Sequence, residues 1–301
     1  MQFAHPRYWP AWCLVGLQRG LTLLPLPVLW ALGCALGAVM HRVGGCRRRV
    51  AARNIERCLP ELDPTARRRL LVDHFHALGF ALLAMPITWW ASPRRLDRLI
   101  RFRGREHYDE ALAEGRGVVL LAPHFVALEV PLALARERPM IFMYQRLKNP
   151  LLDAVMERGR RRFHGEIVER SANLKGTLRR LRQGVPLGYL PDQNPGPQRG
   201  IFVPFFGIPT ATHPALSRIA AMTGAVVIPC IAKQLPFGRG FEVEFKPPLE
   251  DFPSGDVEAD TARMNRVIEQ CVRELPEQYF WVHKRFKVRP PGEPDFYRRG
   301  I

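Results

Sequence analysis

Twenty-one residues without a single charge, Gly20 to Met40, set the first limit on what this chain can become. The apolar character reaches back through Trp9, Trp12, Leu14 and Val15. At about 1.5 Å per residue, a helix of that length crosses roughly 30 Å of hydrocarbon. Pro25 and Pro27 interrupt it, and each removes a backbone donor, so a kinked or re-entrant course stands beside a straight span. A cleavable signal peptide fits poorly, because the run is long and no A-x-A-like site precedes the arginines that follow. A helix buried in a core is the remaining reading.

The flanks carry orientation. Arg7 and Arg19 precede the run, while Arg42, Arg47, Arg48, Arg49, Arg53 and Arg57 follow it. The denser positive side stays in the cytoplasm, which puts most of the chain there with arginines against the anionic lipids of an inner membrane. Residues 1–45 are therefore expected to be a membrane anchor with a transmembrane helix, and 46–301 the working domain.

Charge narrows the partners without choosing among them. The chain has 45 basic against 28 acidic residues, a formal balance of +17, and with 47% hydrophobic residues it has the material for a core. A disordered chain is thereby excluded. Six lysines leave 39 arginines, whose planar fork suits phosphate and carboxylate, although a GC-rich genome also enriches arginine. Nucleic acid, anionic membrane and an acidic substrate all remain open. The six cysteines form no C-x-x-C pair and have no histidine at zinc-ligand spacing, which argues against a disulfide framework and for a reducing compartment.

Residues 46–99 read as a helical lead-in, with Asp63-Pro64 opening a helix that runs through Leu70, Phe75, Leu78 and Leu82. His74 and His76, two apart on a helix, point to different sides and make poor joint metal ligands. From residue 100 the pattern changes to short apolar runs, expected as strands at 117–122, 139–144, 166–170, 185–190, 225–232 and 241–245. Helices are expected between them at about 125–137, 150–163, 172–183, 213–223 and 256–274. Alternation of this kind predicts an α/β fold over 100–290, a mostly parallel central sheet flanked by helices.

Leu121-Ala-Pro-His-Phe-Val-Ala-Leu-Glu129 places His124 just past a buried strand and Glu129 five residues later. Sites in α/β folds lie at such strand ends. On a regular helix five residues turn about 140°, so the two side chains meet only if His124 lies in the turn before the helix, a break that Pro123 supports. Glu129 is then expected to orient the imidazole and stabilise its protonated form, while the other ring nitrogen takes a proton from a hydroxyl. The amino-terminal N–H groups of that helix are expected to face an oxyanion. Taken alone, His-x4-Glu is also compatible with a satisfied core histidine.

Further blocks give this pair a context: Tyr189-Leu-Pro-Asp-Gln-Asn-Pro-Gly through Phe202-Val-Pro-Phe-Phe-Gly207, Pro209-Thr-Ala-Thr212, and Pro276-Glu-Gln-Tyr-Phe-Trp-Val-His-Lys-Arg-Phe-Lys287. In this order, they resemble the lysophospholipid acyltransferase superfamily, and more narrowly the late acyltransferases of lipid A biosynthesis, over nearly the whole chain. The resemblance implies that His124 and Glu129 form the family's catalytic dyad and that Asp192 and Gln193 bind substrate near it. A substrate-binding arginine falls on Arg161, among the close neighbours Arg158, Arg160 and Arg162. Asn194-Pro195 departs from the family's usual pair. The implied reaction moves an acyl chain from an acyl carrier protein thioester to a hydroxyl of a phosphorylated glycolipid, with no metal, no cofactor and no nucleic acid. A lysophospholipid, aminolipid or mannosylated inositol lipid is the alternative acceptor, and a non-enzymatic basic lipid-binding protein the alternative class. Phe202–Phe206 reads equally as a core loop or an acyl-chain wall, and His283-Lys284-Arg285 as a solvated rim in preference to a direct substrate contact.

Overall fold

Strong caps and prolines place the helices of this computed structural model, which describes residues 3–169 and 174–298. Helices α1 (Trp9–Leu21) and α2 (Leu26–Val43) share the apolar run. The uncharged stretch is thus two helices parted at Thr22–Pro25, where the prolines forbid continuation. Next come α3 (Gly45–Cys58) and α4 (Pro64–Ala84), the latter opened by Asp63, whose carboxylate accepts from the Thr65 and Ala66 amides. Short α5 (Ile87–Trp90) and α6 (Pro93–Leu99) lead into the sheet.

The sheet strands are β1 (Ile100–Arg103), β2 (Val118–Leu121), β3 (Met140–Tyr144), β4 (Gly165–Glu169), β5 (Leu187–Tyr189), β8 (Val226–Gln234) and β9 (Phe241–Phe245). Between β5 and β8, β6 (Ile201–Phe205) and β7 (Ile208–Thr212) form a separate antiparallel hairpin. The spatial order is β1-β9-β8-β2-β5-β3-β4. Within this seven-stranded sheet all pairings are parallel except β8 with β9. Helices α7 (Arg105–Ala113), α8 (Pro150–Arg160), α9 (Leu174–Arg182), α10 (Ala215–Thr223) and α11 (Val257–Glu274) complete the fold. This is the expected α/β architecture. Central β2 is buried at every position, as a strand with cover on both faces must be.

Several elements differ from expectation. The segment expected as a helix over 125–137 forms tight turns and a 3-10 helix, Val130–Arg136. Strand β1 was hidden because Arg101 and Arg103 alternate with Ile100 and Phe102 on a four-residue edge strand. Phe202–Phe206, read as either a core loop or an acyl-chain wall, is mostly β6, turned into β7 through Phe206 and Gly207, both with positive φ as a type I′ turn requires. Residues 170–173, which hold the end of the strand expected at 166–170 and the start of the helix expected at 172–183, lie outside the described residues, as do the first two and last three residues of the chain.

Among the described residues, two helices are long and apolar enough to cross a membrane by length and composition, α2 and the stretch Pro64–Trp90. The second lies against the sheet: Phe75 and Leu78 join a core with Val119 and Leu121, and Phe80 and Ala84 one with Val118 and Leu120. Helix α2 packs backbone to backbone on α4. A Cβ on Gly33 would come 2.3 Å from Phe80 Cα, and one on Gly37 2.2 Å from Phe75 O. Only glycine permits that approach, in the manner of small-xxx-small helix pairs.

Candidate active site

Strands β2 and β5 are neighbours in register, with Leu121 opposite Tyr189. Both chains leave the sheet in the same way, through Ala122-Pro123 and Leu190-Pro191, and the amide of Ala122 extends the ladder to Tyr189 O at 3.0 Å. Three residues past the paired positions stand His124 on one side and Asp192 on the other. Register alone therefore brings them together. The His124 amide donates to Asp192 Oδ2 at 2.9 Å, and its Nδ1 lies 2.6 Å from Oδ1.

This geometry holds one tautomer. With Nδ1–H donating to the carboxylate, the Nε2 lone pair is the ring's basic site. Asp192 is closed off from water, whereas His124 keeps 18% of its side chain exposed. Burial pushes the Asp192 carboxyl up, but the charge of His124, its two hydrogen bonds and the Arg285 guanidinium outweigh it and leave the pKa below the ordinary value. The Tyr279 hydroxyl also lies against Asp192, and burial together with that carboxylate drives its pKa well up.

Glu129 is not the carboxylate on His124. Its oxygens accept from Trp89 Nε1 at 3.1 Å and from Arg160, Nε at 3.2 Å and Nη2 closer still. The reason is the turn geometry. Leu128, Val130 and Leu132 donate to carbonyls three residues back. A 3-10 course advances about 120° per residue, so five residues end about 120° away from the start, and the two side chains face different sides. The amides expected to face an oxyanion are also engaged: His124 with Asp192, Phe125 with Pro123 O and Val126 with Gln278 O.

The arginine at the centre is Arg160 at the end of α8, with 14% of its side chain exposed, while Arg161 is half exposed and pairs with Glu157 one turn back. Gln193 is half-buried beside Asp192. Asn194 secures the following turn: its amide donates to His283 Nε2 at 3.1 Å, its side chain to Arg285 O at 3.2 Å, and its Oδ1 accepts from Gly196. Burial holds His283 down at about 4, hence neutral.

Sequence reasoning preferred Arg161 to its neighbour Arg160, missed Trp89 and Tyr279, and read Arg285 as rim. The 283–287 segment is no plain solvated rim, since Arg285 is buried and donates to Ala211 O and to Thr212 Oγ1 at 2.7 Å, while Lys284 and Lys287 stay exposed. A signal existed in the repeated strand-x-Pro-polar pattern of Leu-Ala-Pro-His124 and Tyr-Leu-Pro-Asp192. Phe202–Phe206 divides between both readings, with Phe205 in the core and Phe202 exposed.

Two cavities adjoin at Gln145 and Arg199, and His124 lines the smaller one. One of about 210 Å³ is lined by Met143, Tyr144, Leu190 and Ile219 together with His124 and Gln193, a mostly apolar slot at the carboxyl ends of the strands. The other, about 690 Å³, is lined by Arg47, Arg199, His283, Lys284 and Lys287, and it shares Gln145 and Arg199 with the first. A base in the wall of a mostly apolar slot that adjoins a basic groove can deprotonate a hydroxyl presented from the groove.

Residues 1–288 match the family described as bacterial lipid A biosynthesis acyltransferase. The lipid A biosynthesis lauroyltransferase of Escherichia coli (strain K12) is 36% identical over 295 residues, covering 97% of this chain and 96% of that protein. The myristoyltransferase and palmitoleoyltransferase of the same strain are 32% and 31% identical, with 99% and 98% of this chain covered and 93% and 97% of theirs. These relatives carry different acyl names at similar identity.

Proposed function

This chain belongs to the bacterial lipid A biosynthesis acyltransferases, and from that membership we propose a specific reaction and place for it. It transfers a fatty acyl chain from an acyl carrier protein thioester to a hydroxyl of a phosphorylated lipid A precursor, at the cytoplasmic face of the inner membrane. The observation that carries the reading is the 2.6 Å pair of His124 and Asp192, with His124 in the wall of a mostly apolar cavity that adjoins a basic one at Gln145 and Arg199.

His124 Nε2 takes the proton of the acceptor hydroxyl as its oxygen attacks the thioester carbonyl carbon. Asp192 stabilises the imidazolium that forms and keeps the ring in place. The tetrahedral intermediate collapses by breaking the C–S bond, and the leaving thiolate takes the proton back from His124. The apolar slot takes the acyl chain, with Gln193 at its mouth. Arg47, Arg199, Lys284 and Lys287 meet the acceptor's phosphates. Glu129 and Arg160 act beneath the site, tying the turn that carries His124 to α5 and α8.

The test offers purified enzyme an acyl carrier protein thioester, or the matching coenzyme A thioester, with either a lipid A precursor or a lysophospholipid. Transfer to the lipid A precursor from the carrier protein is expected to dominate. Turnover of the lysophospholipid alone would overturn the acceptor, and a preference for coenzyme A the donor.

A further inference from the structure

The amino-terminal helices are fastened to the catalytic body at every level. Tyr8 and Ala11, at the start of α1, pack against Leu151, Leu152 and Val155 of α8. At the turn into α2, Arg95 of α6 donates to the carbonyls of Thr22 and Leu24. The start of α2 lies against the loop between β8 and β9, so close that a Cβ on Gly238 would come 2.6 Å from Leu26 O. Its middle is fused to α4 through Gly33, Gly37 and Gly79. Beyond its end, Asn54 donates to Trp281 O at 2.7 Å and Arg47 to Val282 O at 3.1 Å. A spanning helix has its two ends on opposite sides of about 30 Å of hydrocarbon. Here both ends are held by one sheet-centred body.

From this geometry we infer that the chain does not cross the bilayer but sits in one leaflet, using a single continuous surface of α1, the outer side of α2 and the Pro236–Gly238 loop. The inference rests on the membrane attachment read above. Trp9, Trp12, Leu14 and Leu17 of α1 and Val28, Leu32, Val39 and Val43 of α2 are exposed. Leu23 is 78% exposed in the turn between them, and Phe237 63% exposed beside Trp30, with ring centroids 5.2 Å apart. Phe237 holds φ at 58°, a strained conformation for an aromatic residue, which presents the ring to the outside.

Charge selects lipid over protein as the occupant. No acidic residue precedes Glu56, and Arg19 and Arg42 sit exposed in the last turns of the two helices, with Arg239 beside Phe237. A second copy would set arginine against arginine, whereas anionic head groups complement such a frame. Tryptophans at the margin suit the level of the head groups.

Two measurements test this in the full chain. Single-cysteine proteins keep either natural exposed Cys46, past α2, or Ala4→Cys, before α1, with the other reactive thiols replaced by serine, and are labelled with an impermeant maleimide in spheroplasts and in inverted inner-membrane vesicles. Both sites are expected to label only in the inverted vesicles. Labelling from opposite faces would overturn the one-leaflet arrangement while leaving membrane attachment intact. Separately, purified protein is floated with phosphatidylglycerol-containing vesicles. Phe237→Gly, which relieves the positive φ, is expected to bind about tenfold more weakly. Unchanged binding would remove the loop from the surface, and failure of the wild type to bind would overturn both the arrangement and the attachment on which it rests.

Discussion

Asp192 and Glu129 are both nearly closed off from water, with side chains 1% and 6% exposed, and each is paired with a nitrogen base. They differ in what the partner can do. The partner of Asp192 is an imidazole that reaches a cavity and can exchange a proton at its far nitrogen. The partner of Glu129 is a guanidinium that keeps its protons, with the Trp89 indole closing the other side. Burial beside a base is therefore common to the proposed proton relay and to a structural clamp. Whether the partner titrates and faces substrate separates the two.

The strongest way to break this contrast is at the relay. His124→Ala is expected to lower transfer by about a hundredfold or more with the melting temperature close to wild type. Asp192→Asn should fall in the same class, because an amide no longer selects the tautomer, and the double variant should be little worse than either single. Single-turnover transfer measures this, and more than about a tenth of the activity left in His124→Ala would remove it as the base.

At the clamp the effect should appear in stability. Glu129→Gln leaves Arg160 buried without its counter-charge, a loss of about 3–5 kcal/mol by urea unfolding, while transfer per folded molecule falls less than in Asp192→Asn. Unchanged stability with an equal catalytic loss would return Glu129 to the reacting atoms. The smallest effect is expected next door. Arg161→Ala removes a half-exposed pair one helical turn long, which contributes at most about 0.5 kcal/mol, so stability and acceptor use should stay near wild type. A selective loss of acceptor use, with thioester hydrolysis by water preserved, would make Arg161 the acceptor clamp.

The apolar runs at 118–121 and 140–144 and the alternating run at 241–245 were legible as strands, and Asp63-Pro64 as a helix start, because each is decided by its own residues: continuous apolar character, period-two alternation, or a cap followed by a fixed φ. The same local logic exposed His124 at a strand end. It failed where two local preferences conflict, as at Phe202–Phe206, whose proline disguised a hairpin strand, and at 125–137, whose helical pattern gave way to tighter turns tied to Gln278 and Phe280.

Sequence by itself thus determined the class of fold, the histidine, and an apolar amino-terminal segment. Tertiary structure decided which carboxylate the histidine meets, which arginine is buried, and how the apolar segment lies on the body. Its means were sheet register and backbone packing, which join residues 68 apart at the site and more than 200 apart where α3 meets Trp281 and His283. Proximity along the chain favoured Glu129. The register of β2 with β5 chose Asp192, because parallel strands that leave the sheet at the same level must bring their next residues together.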